Sequence, residues 1–153
     1  MNILPPNHNG TGLRIGIVQA RFTNPIGTQL VKSCTERLQK LGVSANDITL
    51  ATVPGALEIP LILQSMARSR QYDALVAIGV VIRGETYHFE LVANEAAAGV
   101  SRISLQEHIP IANAILTTEN DAQAIARMFN KGSEAAVVAV EMANLLKTQN
   151  QLA

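Results

Sequence analysis

The side chains of this 153-residue chain that could do chemistry stand singly, beside runs of apolar residues. His88 follows the longest apolar run, where an imidazole could transfer protons near neutral pH, although a lone histidine is more often a helix cap or a satisfied surface residue. Glu85 and Thr86 could cap the helix that starts there, or free backbone amides could bind an anion. Arg127 could clamp an anion or be a solvated cation. Residue types alone leave both interpretations open.

Two further side chains are informative because of their surroundings. Phe22 is one of three phenylalanines and falls in a polar loop, which favours stacking on a flat ligand over packing in the core. Cys34 is the single cysteine and lies among apolar residues at helical spacing. One thiol can form neither an internal disulfide nor a cysteine zinc site, so we interpret Cys34 as a small core residue.

The sequence lacks the common phosphate, dinucleotide and serine-hydrolase motifs. There is no Walker-type phosphate loop, no glycine pattern for a dinucleotide after the first strand, and no serine in a nucleophile elbow. The three histidines, His8, His88 and His108, are far apart and lack metal-ligand spacing. The sequence therefore predicts no metal site.

Composition narrows the class of protein. Hydrophobic residues make up 48% of the chain, twelve basic residues balance twelve acidic ones, and 3% of residues are aromatic. Such a chain can bury a core, but it offers no basic or stacking surface for nucleic acid or an anionic membrane. From the polar first residues we expect no signal peptide, and no apolar stretch approaches the length of a membrane span. We expect a cytoplasmic protein with no nucleic-acid or membrane partner, and its sparse charge favours subunit association.

The hydrophobic pattern predicts the elements that position these residues. Four short apolar runs are typical of strands, at residues 13–18, 47–53, 74–82 and 110–116. Helical patterns fall between them, at residues 26–41, at 57–66 and from the break after the third strand to about 108. After the fourth strand we expect two helices, separated by a turn at Lys131 and Gly132, with the second helix over residues 133–146.

Strand and helix alternate four times, which predicts a parallel sheet between two helix layers. The expected fold is therefore α/β, a three-layer α/β/α sandwich with a flavodoxin-like four-stranded parallel sheet. Polar residues and two prolines predict an extended N-terminal arm over 1–12, followed by a single domain over 13–150. Open parallel sheets bind ligands beyond the carboxyl ends of their strands. The segments that fall there are residues 21–23, 54–56, 82–86 and 117–118.

Several short motifs occur in order between about residues 13 and 147. They are residues 21–22 (RF), 53–60 (VPGALEIP), 79–89 (GVVIRGETYHF), 94–97 (NEAA), 115–120 (ILTTEN), 123–124 (QA) with Arg127, and 130–136 (NKGSEAA). Taken together, they resemble the lumazine synthase family, the 6,7-dimethyl-8-ribityllumazine synthases of riboflavin biosynthesis. Each piece is weak alone, but the ordered set is highly specific.

The resemblance implies a transferase that joins 5-amino-6-(D-ribitylamino)uracil to 3,4-dihydroxy-2-butanone 4-phosphate, releasing phosphate and water, with no cofactor or metal. It implies that His88 donates and accepts protons. The residues implied for the pyrimidine substrate are Phe22, Ala56, Leu57, Glu58, Val80, Val81, Ile82 and Asn113. Those implied for the phosphorylated substrate are Glu85, Thr86, Arg127 and Lys131.

The sequence departs from the family pattern at three places. Leu57 stands where the motif usually carries Phe. Asn113 replaces a Phe that, in the family, a neighbouring subunit contributes over the pyrimidine, and an amide there could hydrogen-bond the uracil edge. The stretch between Arg127 and Asn130 is several residues shorter than usual. The resemblance also implies a homo-oligomer, a pentamer or a multiple of one, with sites at subunit interfaces, and riboflavin synthase as a protein partner.

Two other classes of function stay open beside the active synthase. One is a non-catalytic relative that stores or carries lumazine or flavin. The other is a flavodoxin-like signalling domain, which would need an acidic cluster at the carboxyl edge of the sheet. Arg21, Pro54 and Arg83 stand at the predicted strand ends instead, which counts against the signalling domain.

Overall fold

Four parallel strands alternate with four helices along the part of the chain that the structure describes. The structure is a computed structural model and describes residues 1–152. The elements are β1 (Ile15–Ala20), α1 (Ile26–Lys40), β2 (Ile48–Val53), α2 (Ile59–Arg68), β3 (Ala74–Ile82), α3 (His88–Glu107), β4 (Ile111–Thr118) and α4 (Asp121–Leu152). Short 3-10 turns at Ala45–Asp47 and Ala56–Glu58 precede β2 and α2. The strands lie in the order β2-β1-β3-β4.

Alternate residues of the central strands face two separate cores. Ile15 and Ile17 of β1 pack with α1 and α4, whereas Val18 and Ala20 pack with α2 and α3. Because successive side chains of a strand point to opposite faces, the uninterrupted apolar run of β3 supplies both cores. This arrangement confirms the predicted three-layer α/β/α sandwich of flavodoxin-like type.

β1 and β4 reach two residues further toward their carboxyl ends than the apolar runs predicted. The added residues are partly polar, and local hydrogen bonds satisfy them. Gln19 is buried and donates from Nε2 to Oδ1 of Asn24 at 2.9 Å, and the hydroxyl of buried Thr118 donates to the carbonyl oxygen of Asn120 at 3.0 Å. A buried polar side chain with a partner does not end a strand, so hydropathy alone placed these ends too early.

The C-terminal helix corrects one prediction. The turn expected at Lys131 and Gly132 does not form, because α4 runs unbroken from Asp121 to Leu152. Gly132 is buried, and a Cβ at this position would lie 2.5 Å from the carbonyl oxygen of Leu30 and 3.0 Å from the Cβ of Ser33. Glycine therefore allows α4 to approach α1 closely, and it is a packing residue rather than a turn residue.

The residues before β1 lie against α4. The Nε2 of His8 is 2.7 Å from Oε1 of Glu141, and the Nδ2 of Asn144 donates to the carbonyl oxygens of Asn7 and Asn9 at 2.9 and 3.0 Å. Residues 1–10 form neither helix nor strand. The division into an arm over 1–12 and one domain over 13–150 stays a prediction.

No helix within residues 1–152 combines the length and apolar character needed to cross a membrane.

Candidate active site

A cavity of about 460 Å³ lies at the carboxyl edge of the sheet, and we call it the His88 cavity. The loops after β1 and β2, the end of β3 and the first turns of α3 line it. This is the edge at which open parallel sheets bind ligands. Nine of the residues predicted for the site line it: Phe22, Ala56, Leu57, Glu58, Val80, Val81, Ile82, Thr86 and His88.

Phe22 stands on the loop after β1 and is 87% exposed, so its ring contributes little to the core. The next residue fixes the loop: the hydroxyl of Thr23 donates to the carbonyl oxygen of Val80 at 2.6 Å. This bond ties the loop of Phe22 to the end of β3. From the sequence, Thr23 was predicted to lie at the ligand edge of the sheet, but nothing in the residue pattern indicated this hydrogen bond.

The 3-10 turn before α2 carries the acidic residue of the cavity. Ala56 is buried and anchors the turn, whereas Leu57 and Glu58 are exposed toward the cavity. The Oε2 of Glu58 lies 3.1 Å from the position that a Cβ on Gly55 would occupy, so glycine leaves room for the carboxylate. The result is a hydrogen-bond acceptor at the cavity wall.

His88 is the first residue of α3, as the sequence indicated, and its exposed side chain lines the cavity. Its backbone N–H lies 3.4 Å from the hydroxyl oxygen of Thr86. The backbone amides before a helix are free of helical partners and favour negative charge. An imidazole and a potential anion site therefore share one wall. Glu85 precedes Thr86 but is not among the residues that line the His88 cavity.

A second cavity, of about 390 Å³, lies beyond the carboxyl end of β4, and we call it the Arg127 cavity. Arg127 and Lys131 line it from adjacent turns of α4. Nη1 of Arg127 donates to the carbonyl oxygen of Gln123 at 2.9 Å, which holds the guanidinium close to the start of the helix. Within one chain, the two predicted phosphate-binding cations thus line a different cavity from His88.

Asn113 lines neither of these two cavities. It is exposed on β4, an edge strand of the sheet. Its Oδ1 accepts a hydrogen bond from the backbone N–H of Ile115 at 2.9 Å. The side-chain oxygen of Asn113 is therefore engaged, and its NH2 group is the part of the side chain that remains to contact another molecule.

Arg83 connects the segment after β3 with the residue after β4 and the first turn of α3. Its guanidinium donates to carboxylates of Glu90 and Glu119, each at 2.6 Å, and its Cζ lies 4.4 Å from the centroid of the Phe89 ring. These hydrogen bonds raise the pKa of Arg83, and the bond from Arg83 lowers the pKa of Glu90. Neither Arg83 nor Phe89 was predicted from the sequence to have a role in the site.

The potential metal ligands are dispersed. Within residues 1–152, no three His, Cys, Asp or Glu side chains are grouped so that they could hold a metal ion. Cys34 is fully buried in the core between the sheet, α1 and α4, as predicted, and burial raises the pKa of its thiol to about 12.

The fold and the His88 cavity define a flavodoxin-like α/β protein with a cavity at the carboxyl edge of its parallel sheet. The family described as 6,7-dimethyl-8-ribityllumazine synthase matches residues 12–147. The enzyme of that name from Neisseria meningitidis (strain FAM18) is 66% identical over 146 residues, which cover 95% of this chain and 92% of the relative. The one from Paraburkholderia phytofirmans is 64% identical over 147 residues, 96% and 88% of the two chains.

The chain belongs to the 6,7-dimethyl-8-ribityllumazine synthase family, and is thus a transferase of riboflavin biosynthesis. This confirms the resemblance seen in the motifs. Membership of an enzyme family removes the signalling-domain alternative. The roles of the individual site residues stay predictions.

Proposed function

We propose that this chain condenses 5-amino-6-(D-ribitylamino)uracil with 3,4-dihydroxy-2-butanone 4-phosphate to form 6,7-dimethyl-8-ribityllumazine. The observation that carries the proposal is the presence of Phe22, Glu58, Thr86 and His88 on one cavity at the carboxyl edge of the sheet. A volume of about 460 Å³ falls in the range of cavities that bind small molecules.

The pyrimidine substrate fits the chemistry of the cavity walls. The exposed ring of Phe22 offers a stacking surface for a flat heterocycle. The backbone of residues 80–82 offers hydrogen bonds to the uracil edge, and the carboxylate of Glu58 accepts hydrogen bonds from the ribityl hydroxyls. Leu57 keeps this turn apolar without the aromatic ring that is usual in the family.

The reaction needs proton transfers and orientation more than a protein nucleophile. The amine attacks the ketone, water leaves to give an imine, phosphate is eliminated, and the ring closes with loss of a second water. His88 donates and accepts the protons of these steps from the first turn of α3. Holding two substrates together and moving protons through one imidazole are both established sources of rate enhancement.

The phosphate group of the second substrate binds where backbone amides and cations meet. In the proposed site the amides of Glu85 and Thr86, at the start of α3, face the phosphate, and Arg127 with Lys131 neutralises it. Arg127 and Lys131 line a different cavity from His88 in one chain, so we propose that a neighbouring copy supplies them. Asn113 of the neighbour would then donate to the uracil edge through its amide group.

A ring of copies, a pentamer or a multiple of one, would complete every site in this way. Exposed apolar side chains on two helices support burial between subunits: Leu91 and Leu105 on α3, and Ile125, Phe129 and Met142 on α4. We further propose a cytoplasmic enzyme with riboflavin synthase as its protein partner. Light scattering tests the assembly, and a stable active monomer would contradict the shared site.

The proposed reaction is tested by mixing the purified protein with both substrates and following lumazine fluorescence. We expect product to form well above the spontaneous background, and His88→Ala to lower turnover about 100-fold with little change in substrate affinity. His108→Asn is the control, because Asn tolerates the left-handed backbone of His108 (φ 53). A wild-type rate at background, with quenching of added riboflavin fluorescence, would instead identify a flavin or lumazine carrier.

A further inference from the structure

One guanidinium joins the loop after β3 to the loop after β4. Nε of Arg83 donates to Oε2 of Glu119, and Nη1 of Arg83 donates to Oε1 of Glu90, each at 2.6 Å. Glu119 directly follows β4, and Glu90 lies in the first turn of α3. Arg83 also lies over the ring of Phe89, the neighbour of His88 in the sequence. It therefore holds the start of α3 from two sides.

The hydrogen bonds continue from Glu119 to Arg127. The backbone N–H of Glu119 donates to Oε1 of Gln123 at 2.8 Å, and Nη1 of Arg127 donates to the carbonyl oxygen of Gln123 at 2.9 Å. The backbone N–H of Arg83 adds a bond to the carbonyl oxygen of Thr118 at 2.9 Å. A continuous set of contacts thus connects the loop before His88 with the guanidinium of the Arg127 cavity.

The partners of Arg83 favour a role in positioning neighbouring residues over a role in binding substrate. Two carboxylates face one guanidinium, so the cluster has a net negative charge and Arg83 is not free to bind a phosphate. The planar guanidinium bonds two carboxylates through different nitrogens and stacks on an aromatic ring, whereas a lysine ammonium is a point charge without that fixed fork. Loss of Arg83 would leave two uncompensated carboxylates beside the anion site.

We propose that Arg83 is a positioning residue of the site, resting on the proposed function. It fixes residues 84–88, with the free amides and the imidazole, relative to the start of α4 that carries Arg127. In the proposed ring, each copy contributes His88 to one site and Arg127 to another. Arg83 thereby fixes these two contributions relative to each other.

The test compares Arg83→Gln and Arg83→Lys with wild type under the lumazine assay. We expect Arg83→Gln to lower kcat about tenfold or more and to raise KM for the phosphorylated substrate, because small displacements of reacting groups are costly. Arg83→Lys keeps the charge but should stay impaired in kcat. The matched control is Arg68→Gln. Arg68 forms an ion pair with Glu107 at 2.9 Å, which joins the end of α2 to the end of α3 at the opposite edge of the sheet.

A measurement that does not depend on activity separates failure of the positioning role of Arg83 from failure of the proposed function. Hydrogen exchange at the amides of residues 84–90 and 119–123 should accelerate in both Arg83 variants and stay unchanged in Arg68→Gln, with all variants folded by thermal unfolding. Normal kinetics in Arg83→Lys with a defect only in Arg83→Gln would assign a charge effect and overturn the positioning role, as would unchanged exchange. An inactive wild type with accelerated exchange in the variants would overturn the proposed function instead.

Discussion

The hydroxyl of Thr23 donates a hydrogen bond to the carbonyl oxygen of Val80 at 2.6 Å, and so connects the loop of Phe22 to the end of the central strand. Phe22 itself is 87% exposed and makes little contact with the core. The orientation of the proposed stacking ring therefore depends on its neighbour in the sequence more than on its own packing.

Replacing this hydroxyl should weaken binding of the pyrimidine substrate. Thr23→Val keeps the shape of the side chain but leaves the carbonyl oxygen of Val80 without its donor, which typically costs about 1–3 kcal/mol when the group stays dry. We expect KM for the uracil substrate to rise about fivefold in steady-state assays, with a smaller change in KM for the phosphorylated substrate. Thr23→Ser keeps the donor and should behave as wild type; equal defects in both variants would contradict the role of this hydrogen bond, because only Thr23→Val removes the donor.

The guanidinium of Arg127 should matter most for the phosphorylated substrate. Hydrogen bonds to a charged group contribute about 1.5–3 kcal/mol, so Arg127→Ala should raise KM for the butanone phosphate about 10- to 100-fold and leave KM for the uracil nearly unchanged. Arg127→Lys retains the charge but lacks the planar guanidinium, so its KM for the butanone phosphate should lie between those of wild type and Arg127→Ala. An unchanged KM for the phosphate in Arg127→Ala would remove this residue from the site.

Gly132 gives a direct test of helix packing. An added Cβ would lie 2.5 Å from the carbonyl oxygen of Leu30, so Gly132→Ala should destabilise the fold by about 1–3 kcal/mol in denaturant unfolding. Gly84→Ala is the matched control, because no atom lies within 4 Å of its added Cβ, and its stability should change by less than about 0.5 kcal/mol. If Gly132 were an exposed residue of the helix, alanine would instead stabilise the protein.

The local window around Gly132 explains why the sequence predicted a turn there. Lysine followed by glycine is a common end to a helix, and only the contact with α1 shows that glycine is needed for close packing. By contrast, β3 was predicted to the residue, because nine consecutive apolar residues leave little ambiguity.

Many of the candidate site residues line one cavity, but the arrangement of the others was not predicted from the sequence. Topology correctly gathered Phe22, Glu58 and His88 at one edge, because the carboxyl ends of parallel strands meet there. Sequence periodicity did not indicate that Arg127 and His88 line different cavities of one chain, although the family resemblance implied sites at subunit interfaces. The Arg83 cluster was not predicted either, because the partners of Arg83 come from two separate segments, the first turn of α3 and the residue after β4.

The buried thiol of Cys34 makes a prediction about pH. Burial raises the pKa of this thiol to about 12 from an ordinary value of 9.0, so the folded state favours the neutral form. The resulting stabilisation is complete below pH 9 and is lost as the pH rises from there through the folded-state pKa. We expect the difference in unfolding free energy between wild type and Cys34→Ala to shrink over that range.

The same thiol should also be unreactive in the native protein. The thiolate is the reactive form, and Cys34 is fully buried, so an alkylating reagent at pH 8 should label it at least about 100-fold more slowly than in the unfolded chain. Rapid labelling without unfolding would show that the core between α1, α4 and the sheet opens more easily than its packing implies.

Co-assembly of two impaired variants, assayed at a concentration of the phosphorylated substrate well below the KM of Arg127→Ala, tests the shared site most directly. His88→Ala and Arg127→Ala chains are unfolded together, refolded as a mixture and compared with each variant refolded alone. If His88 of one copy works with Arg127 of its neighbour, random mixing in a ring should restore intact sites at about one quarter of the interfaces, and turnover should rise to about that fraction of wild type. Turnover no higher than the mean of the two parents, in rings shown to be mixed, would contradict a site built from two copies.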